Sequence, residues 1–339
     1  MKKRVAVIYG GCSSEHEISN QSAKAVLNHM DREKYDVIPI RISREGQWAW
    51  VREDGSLVSA FLSPNRQDHG MIYVEDGIRL LTLDCVLPVL HGRNGEDGSI
   101  QGLCQLAGIP LAGCGLLSSA LCLHKHIAHQ LVKDAGVDVP RAVLLRKDSS
   151  FDDWIEAVRP LGYPVFVKPV QEGSSVGIHK VLCEEELRNA VEDAFSYDDE
   201  VTVEEAVDGF EVGCAVLGNC NQTGERPLVS GPDEVELTDG WLDFEEKYQN
   251  RQNAKIHTQA RISREDSQRI RQTVLHIYQT LRCSGIARVD MFLTPEGRIV
   301  FNEINTMPGL TVHSRYPKML EASGIGFSEM IDRLIESAK

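Results

Sequence analysis

Ala287-Arg288-Val289-Asp290-Met291-Phe292-Leu293, the turn Thr294-Pro295-Glu296-Gly297, and Arg298-Ile299-Val300-Phe301-Asn302-Glu303-Ile304-Asn305 form the stretch on which the fold is decided. Two runs of apolar, largely β-branched residues around a Pro-Glu-Gly turn predict a β-hairpin. With Leu293 opposite Arg298, the pleat puts Arg288, Asp290, Glu303 and Asn305 on one face and Val289, Met291 and Ile304 on the other. Two carboxylates, an amide oxygen and a guanidinium on one face suit hard cations and the phosphates they escort, because magnesium takes oxygen ligands. A solvated sheet face of paired charges shows the same alternation, so spacing alone leaves both readings open.

Upstream of the hairpin, a strand predicted over Pro164 to Lys168 carries a lysine, and Gln171-Glu172-Gly173-Ser174-Ser175-Val176-Gly177 leads into a strand from Val176 to Val181. Small residues let backbone N–H groups approach phosphate closely, with the lysine as counter-charge. The order of a Walker A loop is absent, and an ordinary hairpin turn has the same composition. Glu204-Glu205 closes the run from Thr202, and Glu211 stands seven residues past Glu204. These carboxylates could receive the sugar and amino group of a nucleotide, although acidic residues are plentiful in this chain.

The first third alternates strand and helix: Val5 to Tyr9, the turn Gly10-Gly11, a helix from about Glu15 to Met30, then Tyr35 to Ile42. This is a βαβ pattern. Ser14 and Glu17 have capping-box spacing, and Ile18, Ala25, Val26 and Met30 share a helical face. A further strand, Cys85 to Leu90, runs into His91-Gly92 and Gly95-Glu96-Asp97-Gly98, and ligands of open α/β sheets collect at such strand ends. Glu15 and His91 sit beside glycine turns, where a structural or solvated role is common. From about Ser119 the pattern changes to a helix closed by Gly136, a strand from Val139 to Arg146 and a short helix. From about Phe210 come more strands, a long polar connection, a helix near Glu265 to Cys283, the hairpin and a terminal helix. Three domains are expected: 1–120, an N-terminal α/β domain; 121–209, a central one; and 210–339, a C-terminal catalytic one.

The 339 residues exceed the reach of one hydrophobic core, and an apolar fraction of 42% can fill two or three. No run of about 18 apolar residues is present, and the apolar run after Met1-Lys2-Lys3-Arg4 is shorter than a signal-peptide core, so a soluble cytoplasmic protein is expected. Nine cysteines, scattered with no C-x-x-C pair, read as reduced core thiols rather than a zinc site. A net charge of -14, with no basic run, argues against nucleic acid and anionic membrane as partners. Any polyanion bound must be small and locally cradled.

Taken in order, Gly10-Gly11 with Ser14-Glu15-His16-Glu17, Leu90-His91-Gly92 with Gly95-Glu96-Asp97-Gly98, Lys168-Pro169, Glu172-Gly173-Ser174-Ser175-Val176-Gly177, Glu246-Lys247-Tyr248, Arg288-Val289-Asp290, and Asn302-Glu303-Ile304-Asn305-Thr306 through Pro308-Gly309 resemble the D-alanine:D-alanine ligases of the ATP-grasp superfamily over nearly the whole chain. The resemblance implies an ATP-grasp architecture, an open α/β domain followed by two α+β domains that sandwich ATP. It also implies a two-step reaction: a D-alanine carboxylate attacks the γ-phosphate of ATP, and the amine of a second D-amino acid displaces phosphate from the acyl phosphate. By position, Asp290, Glu303 and Asn305 would hold two Mg2+ ions, with Mn2+ able to substitute. Lys125 and Lys168 would grip ATP phosphates, Lys247 would meet the γ-phosphate, and Glu204 and Glu211 would bind adenosine. Arg288 and the Gly309 N–H would stabilise the oxyanion, where preorganised electrostatics carries most of acyl-transfer catalysis. Glu15, helped by His91, would anchor the first ammonium. Ser174 and Tyr248 would join Glu15 in closing the site, and Ser314 would receive the second carboxylate. A homodimer is also implied.

The sequence departs from the family at His124-Lys125-His126, where relatives more often carry an aspartate, and at Ala206, often aromatic. Arg315 is unlike the apolar residue of strict D-alanyl-D-alanine enzymes and is similar to vancomycin-resistance ligases making D-alanyl-D-serine or D-alanyl-D-lactate; a salt bridge between loops explains it equally. Tyr248 fits an amine nucleophile and disfavours lactate. Another ATP-grasp ligase need not keep Glu15 or Lys247-Tyr248, and an inactive nucleotide-binding regulator should have lost a metal ligand or Arg288.

Overall fold

The computed structural model describes residues 2–68, 70, 72–74, 82–220, 226–237 and 254–338. β1 (Lys3–Gly10), α1 (His16–His29), β2 (Tyr35–Ile42), β3 (Trp48–Val51), β4 (Leu57–Leu62), β5 (Ile72–Val74) and β6 (Cys85–Val89) build a sheet in the order β5-β4-β3-β2-β1-β6, followed by α2 (Ser99–Ala107) and α3 (Leu116–Leu123). β1 pairs in parallel with β2 and β6, as a βαβ reading requires. β6 is buried along its whole length, which is why it is continuously apolar apart from its proline.

The capping box expected from Ser14 and Glu17 does not form. Glu15 is the N-cap of α1 and makes no side-chain cap bond. Ser13 does the work instead, its hydroxyl accepting from the Glu15 N–H at 3.3 Å and donating to the His91 carbonyl at 2.7 Å. The buried face of α1 is His16, Ser19, Ser22, Ala23 and Val26, so Ile18 and Ala25 flank it and Ile18 turns toward a central cavity.

α4 (Lys125–Asp134), β7 (Ala142–Arg146), α5 (Phe151–Val158), β8 (Val165–Pro169), β9 (His179–Val181), α6 (Glu184–Ala194) and β10 (Glu200–Glu205) form the second layer, its sheet ordered β7-β10-β8-β9 and antiparallel throughout. β9 is shorter than the strand expected from Val176, because Ser174 (φ 52), Ser175 (φ 64) and Gly177 (φ 66) hold left-handed backbone that no strand admits. α5 opens on a complete capping box between Ser150 and Asp153.

β11 (Phe210–Leu217), β12 (Leu228–Val229), β13 (Asp233–Leu237), β14 (Ala254–His257), α7 (Arg264–Thr280), β15 (Ile286–Leu293), β16 (Ile299–Asn305), α8 (Arg315–Ala322) and α9 (Phe327–Glu336) complete the fold. The third sheet runs β14-β13-β11-β15-β16, with β12 on β11. α7 lays Ile270, Val274, Ile277 and Tyr278 on Val212, Cys214, Val289 and Met291 of that sheet. A second cluster joins β1 and α1 to α8 and α9, so the first and third sheets share buried surface.

The hairpin register differs from the expected one. Leu293 pairs with Ile299 rather than Arg298, a slip that by itself would turn Glu303 and Asn305 to the opposite face. A bulge corrects it: Met291 pairs with Phe301 but Asp290 pairs with Glu303, leaving Asn302 as the extra residue. Arg288 then lies opposite Asn305, and the four polar residues do share a face.

Candidate active site

A cavity of about 340 Å3 lies where the three layers meet. Twelve residues singled out in the sequence line it: Glu15, His91, Lys125, Ser174, Glu211, Arg288, Asp290, Glu303, Asn305, Gly309, Ser314 and Arg315. Lys247 and Tyr248 lie outside the described residues.

On the N-terminal wall, Glu15 is reached by the Ser174 hydroxyl from the glycine–serine loop. A Cβ on Gly92 or Gly173 would stand 3.0 or 3.2 Å from the same carboxylate, so both loops need glycine to approach it. His91 is buried, with Nδ1 2.8 Å from the Met307 carbonyl and Nε2 3.0 Å from the Ser22 hydroxyl. The carbonyl forces the proton onto Nδ1, so Nε2 accepts from Ser22. Burial pulls the His91 pKa down and keeps the ring neutral. With both nitrogens engaged, His91 holds the 307–310 segment in place beside Glu15.

Glu96, in the loop after β6, joins these residues in lining the cavity. Its carboxyl oxygens accept from the N–H groups of Gly92 at 3.0 Å and Met307 at 3.2 Å, tying the first layer to the end of the hairpin. Burial, with Glu15 nearby, pushes its pKa up to about 8. Nothing but its place in a glycine-flanked loop signals this.

The C-terminal wall is held by charge pairing. Arg288 donates from Nε to both oxygens of Asp290 at 2.9 Å and from Nη2 to Oδ2 at 2.7 Å. Arg315 donates to Asp233 at 2.9 and 2.8 Å and to Glu211 at 2.6 Å, with Asp290 at 3.6 Å. Burial opposes the Arg315 charge, but Asp233, Asp290 and Glu211 outweigh it and raise its pKa. Arg315 therefore is a salt bridge between elements, and a buried one that also faces the cavity. Asp233 escaped sequence reading because its partner lies 82 residues away. Gly213 is part of the same arrangement, since a Cβ there would fall 2.7 Å from Asp290 Oδ1 and 2.9 Å from Arg315 Nη2.

Beyond the hairpin, Lys125 is buried, donates to the carbonyls of Val170 and Glu172, and has its pKa lowered by that burial. Lys168 and Glu204 stand behind the cavity lining. Lys168 Nζ lies 2.6 Å from Glu204 and 3.4 Å from Asn302 Oδ1, so the bulged residue touches this lysine. Burial pushes the Glu204 pKa up, but Lys168 and His129 pull it further down. Glu204 Oε1 is buried without a hydrogen-bond partner among the described residues. Glu211, engaged by Arg315, lines the cavity, whereas Glu204 is not part of its lining.

Asp290 and Glu303 face each other across the hairpin, with Asn305 Nδ2 3.1 Å from Asp290 Oδ2. Among the described residues no three His, Cys, Asp or Glu side chains gather for a metal, and this set is two carboxylates and an amide. Its all-oxygen character fits a hard divalent cation.

An antiparallel sheet pair closing on a lysine-bearing, carboxylate-lined cavity, beneath an α/β layer with a mixed sheet, is the architecture of an ATP-grasp enzyme, the fold shared with its structural neighbours. Family models described as D-ala D-ala ligase N-terminus and D-ala D-ala ligase C-terminus match residues 4–114 and 131–336, and the chain belongs to that family. It is 43% identical to a D-alanine–D-alanine ligase A of Chromobacterium violaceum, covering 99% of this chain and 95% of the relative. It is 41% identical to the vancomycin/teicoplanin A-type resistance protein VanA of Enterococcus faecium, covering 98% and 97%. The crystal structure of VanG D-Ala:D-Ser ligase from Enterococcus faecalis superposes with a TM-score of 0.90 at 46% identity, covering 99% of both chains.

Proposed function

We propose that this protein uses ATP to join D-alanine to a second D-amino acid, D-alanine foremost, giving a dipeptide for cell-wall synthesis in the cytoplasm. The observation that carries this is the cavity in which Glu15 and Ser174 from two layers meet Arg288 and Asp290 from the third. Glu15 anchors the ammonium of the first D-alanine, and its carboxylate attacks the γ-phosphate. Lys125 and Lys168 meet phosphate oxygens, and Glu204 Oε1, 3.8 Å from His129 Nδ1 and making no hydrogen bond among the described residues, is an acceptor suited to the adenine amino group. Arg288 and the Gly309 N–H stabilise the oxyanion as the second amine attacks the acyl phosphate. Asp290, Glu303 and Asn305 would hold Mg2+, which supplies charge to the transferring phosphoryl group. Lys247 and Tyr248 complete the γ-phosphate contact and the cover. Domain boundaries at 120/121 and 209/210 and a homodimer belong to the same reading.

D-serine is the second reading for the second substrate, favoured by Arg315, whose Asp233-held guanidinium lines the cavity near Ser314. A hydroxyl can use such donors and a methyl group cannot, although the difference is worth only about 1–3 kcal/mol in a pocket not built around it. Phosphate release with ATP and magnesium should depend on D-alanine, and its absence with every D-amino acid tried overturns the ligase reading. Mass spectrometry of products from mixed D-alanine and D-serine decides the second substrate, and Arg315→Met should move products toward D-alanyl-D-alanine.

A further inference from the structure

All nine cysteines are free thiols, as expected, and six are buried. One pair stands apart from simple packing. Cys122, on the last turn of α3, lines the cavity. Its Sγ is 3.6 Å from that of Cys283, which arrives 161 residues later in the turn between α7 and β15. Both side chains are about as buried as their neighbours, 5% exposed each. Cys114 also touches Cys283, but its thiol is directed at the carbonyls of Ser284 at 3.3 Å and Ile286 at 3.5 Å.

A disulfide needs its sulfurs about 2.05 Å apart, so Cys122 and Cys283 must close by roughly 1.5 Å. We propose that these two residues are a reversible oxidation site, with a small peroxide admitted through the cavity as the oxidant. Burial raises the Cys122 pKa and keeps the thiol protonated, so its sulfur attacks one peroxide oxygen while the thiol proton passes to the departing oxygen; the O–O bond breaks and water leaves. The resulting sulfenic acid is then attacked by the Cys283 sulfur, the S–S bond forms, the S–O bond breaks, and a second water leaves. Two thiols have lost two electrons, and one hydrogen peroxide has become two waters. Cys122 reacts first because it alone of the two lines the cavity. A small dithiol reverses the reaction.

The consequence follows from chain connectivity. α3 ends at Leu123 and α4 begins at Lys125, which is pinned to the carbonyls of Val170 and Glu172. Drawing Cys122 toward Cys283 pulls on Lys125 through three peptide units. This step rests on the proposed role of Lys125 at the ATP phosphates. A misplacement of about 1 Å in such a group can cost about a hundredfold in rate.

The test treats the full chain with hydrogen peroxide, blocks remaining thiols, and maps cross-linked peptides by mass spectrometry. A Cys122–Cys283 peptide is expected, together with a fall in D-alanine-dependent phosphate release of roughly tenfold or more that dithiothreitol restores. Cys283→Ala should leave Cys122 as a sulfenic acid captured by dimedone. The site is overturned if Cys122 and Cys283 remain free after exposed Cys12 has oxidised, or if Cys283 bonds to Cys114 instead. A Cys122–Cys283 bond with undiminished phosphate release overturns the switch. Peptide mapping needs no turnover, so the oxidation site is decided even if the ligase reading fails.

Discussion

The two walls of the cavity keep their buried ionisable groups in opposite ways. On the N-terminal wall Glu96 and His91 lie deep, and burial pushes each toward its neutral form. On the C-terminal wall Asp290 and Asp233 are buried and Arg288 and Arg315 largely so, yet both guanidinium pKa values are raised, because each meets a carboxylate within a few ångströms. The difference teaches that burial alone does not dictate charge. Around Glu96, burial and the Glu15 charge outweigh the backbone N–H groups that favour its ionised form, whereas the third sheet brings guanidinium and carboxylate from strands and helix to one point.

The comparison breaks or sharpens under mutation. The largest effect expected is on pH dependence. Glu96 is raised from 4.5 in the unfolded chain to about 8 in the folded one. The folded state therefore holds a proton that the unfolded state has lost between those values, and stability falls as pH rises through that window. The loss is at most about 5 kcal/mol, and Glu96→Gln should flatten that part of a urea-unfolding profile measured from pH 4.5 to 8. A profile unchanged by the substitution would mean that Glu96 is ionised and paired, like the opposite wall.

Asp233→Ala comes next. It strips two hydrogen bonds from a buried guanidinium, and breaking a buried pair from one side costs about 3–5 kcal/mol. Denaturant unfolding reads this directly, and a loss below about 1 kcal/mol would place Arg315 in the class of weak surface pairs. Glu303→Gln should lower turnover by on the order of a hundredfold, equivalent to about 2.7 kcal/mol, with little change in stability, since it removes charge from the proposed cation site. Near-normal activity at ordinary magnesium would sink that assignment. Ser150→Ala, far from either wall, should cost only about 1 kcal/mol through the α5 cap and leave turnover unchanged, which calibrates the other three.

How much was legible follows the range of each signal. The hairpin, the βαβ unit and most strands declare themselves through local alternation, and twelve site residues assemble as the motifs suggest. What failed was set by contacts the chain does not announce. Ser14 and Glu17 have the right spacing for a cap, but Ser13 is captured by His91 from 78 residues away. The strand at Val176 yields to left-handed serines that approach Glu15 across the cavity. Nothing local to His91 reveals Ser22 and Met307 on its two nitrogens. Asp233 and Gly213 carry no motif at all, and their importance appears only once Arg315 reaches them from α8.

The bulge at Asn302 sets the parity of the hairpin. A pleated strand has two phases, and each residue added or removed exchanges them for everything downstream. Deleting Asn302 would leave the composition and every β-forming residue intact, yet Glu303 and Asn305 would exchange phase with Ile304. Such a chain should still fold its hairpin and present an apolar side chain where a carboxylate belongs. A one-residue deletion here is thus expected to act like an inverted reading frame for the site, while the same deletion in the exposed turn at Pro295 to Gly297 tests whether loop length alone can do so. The turn can therefore change its sequence without moving the site, whereas the count of residues between Phe301 and Glu303 fixes it.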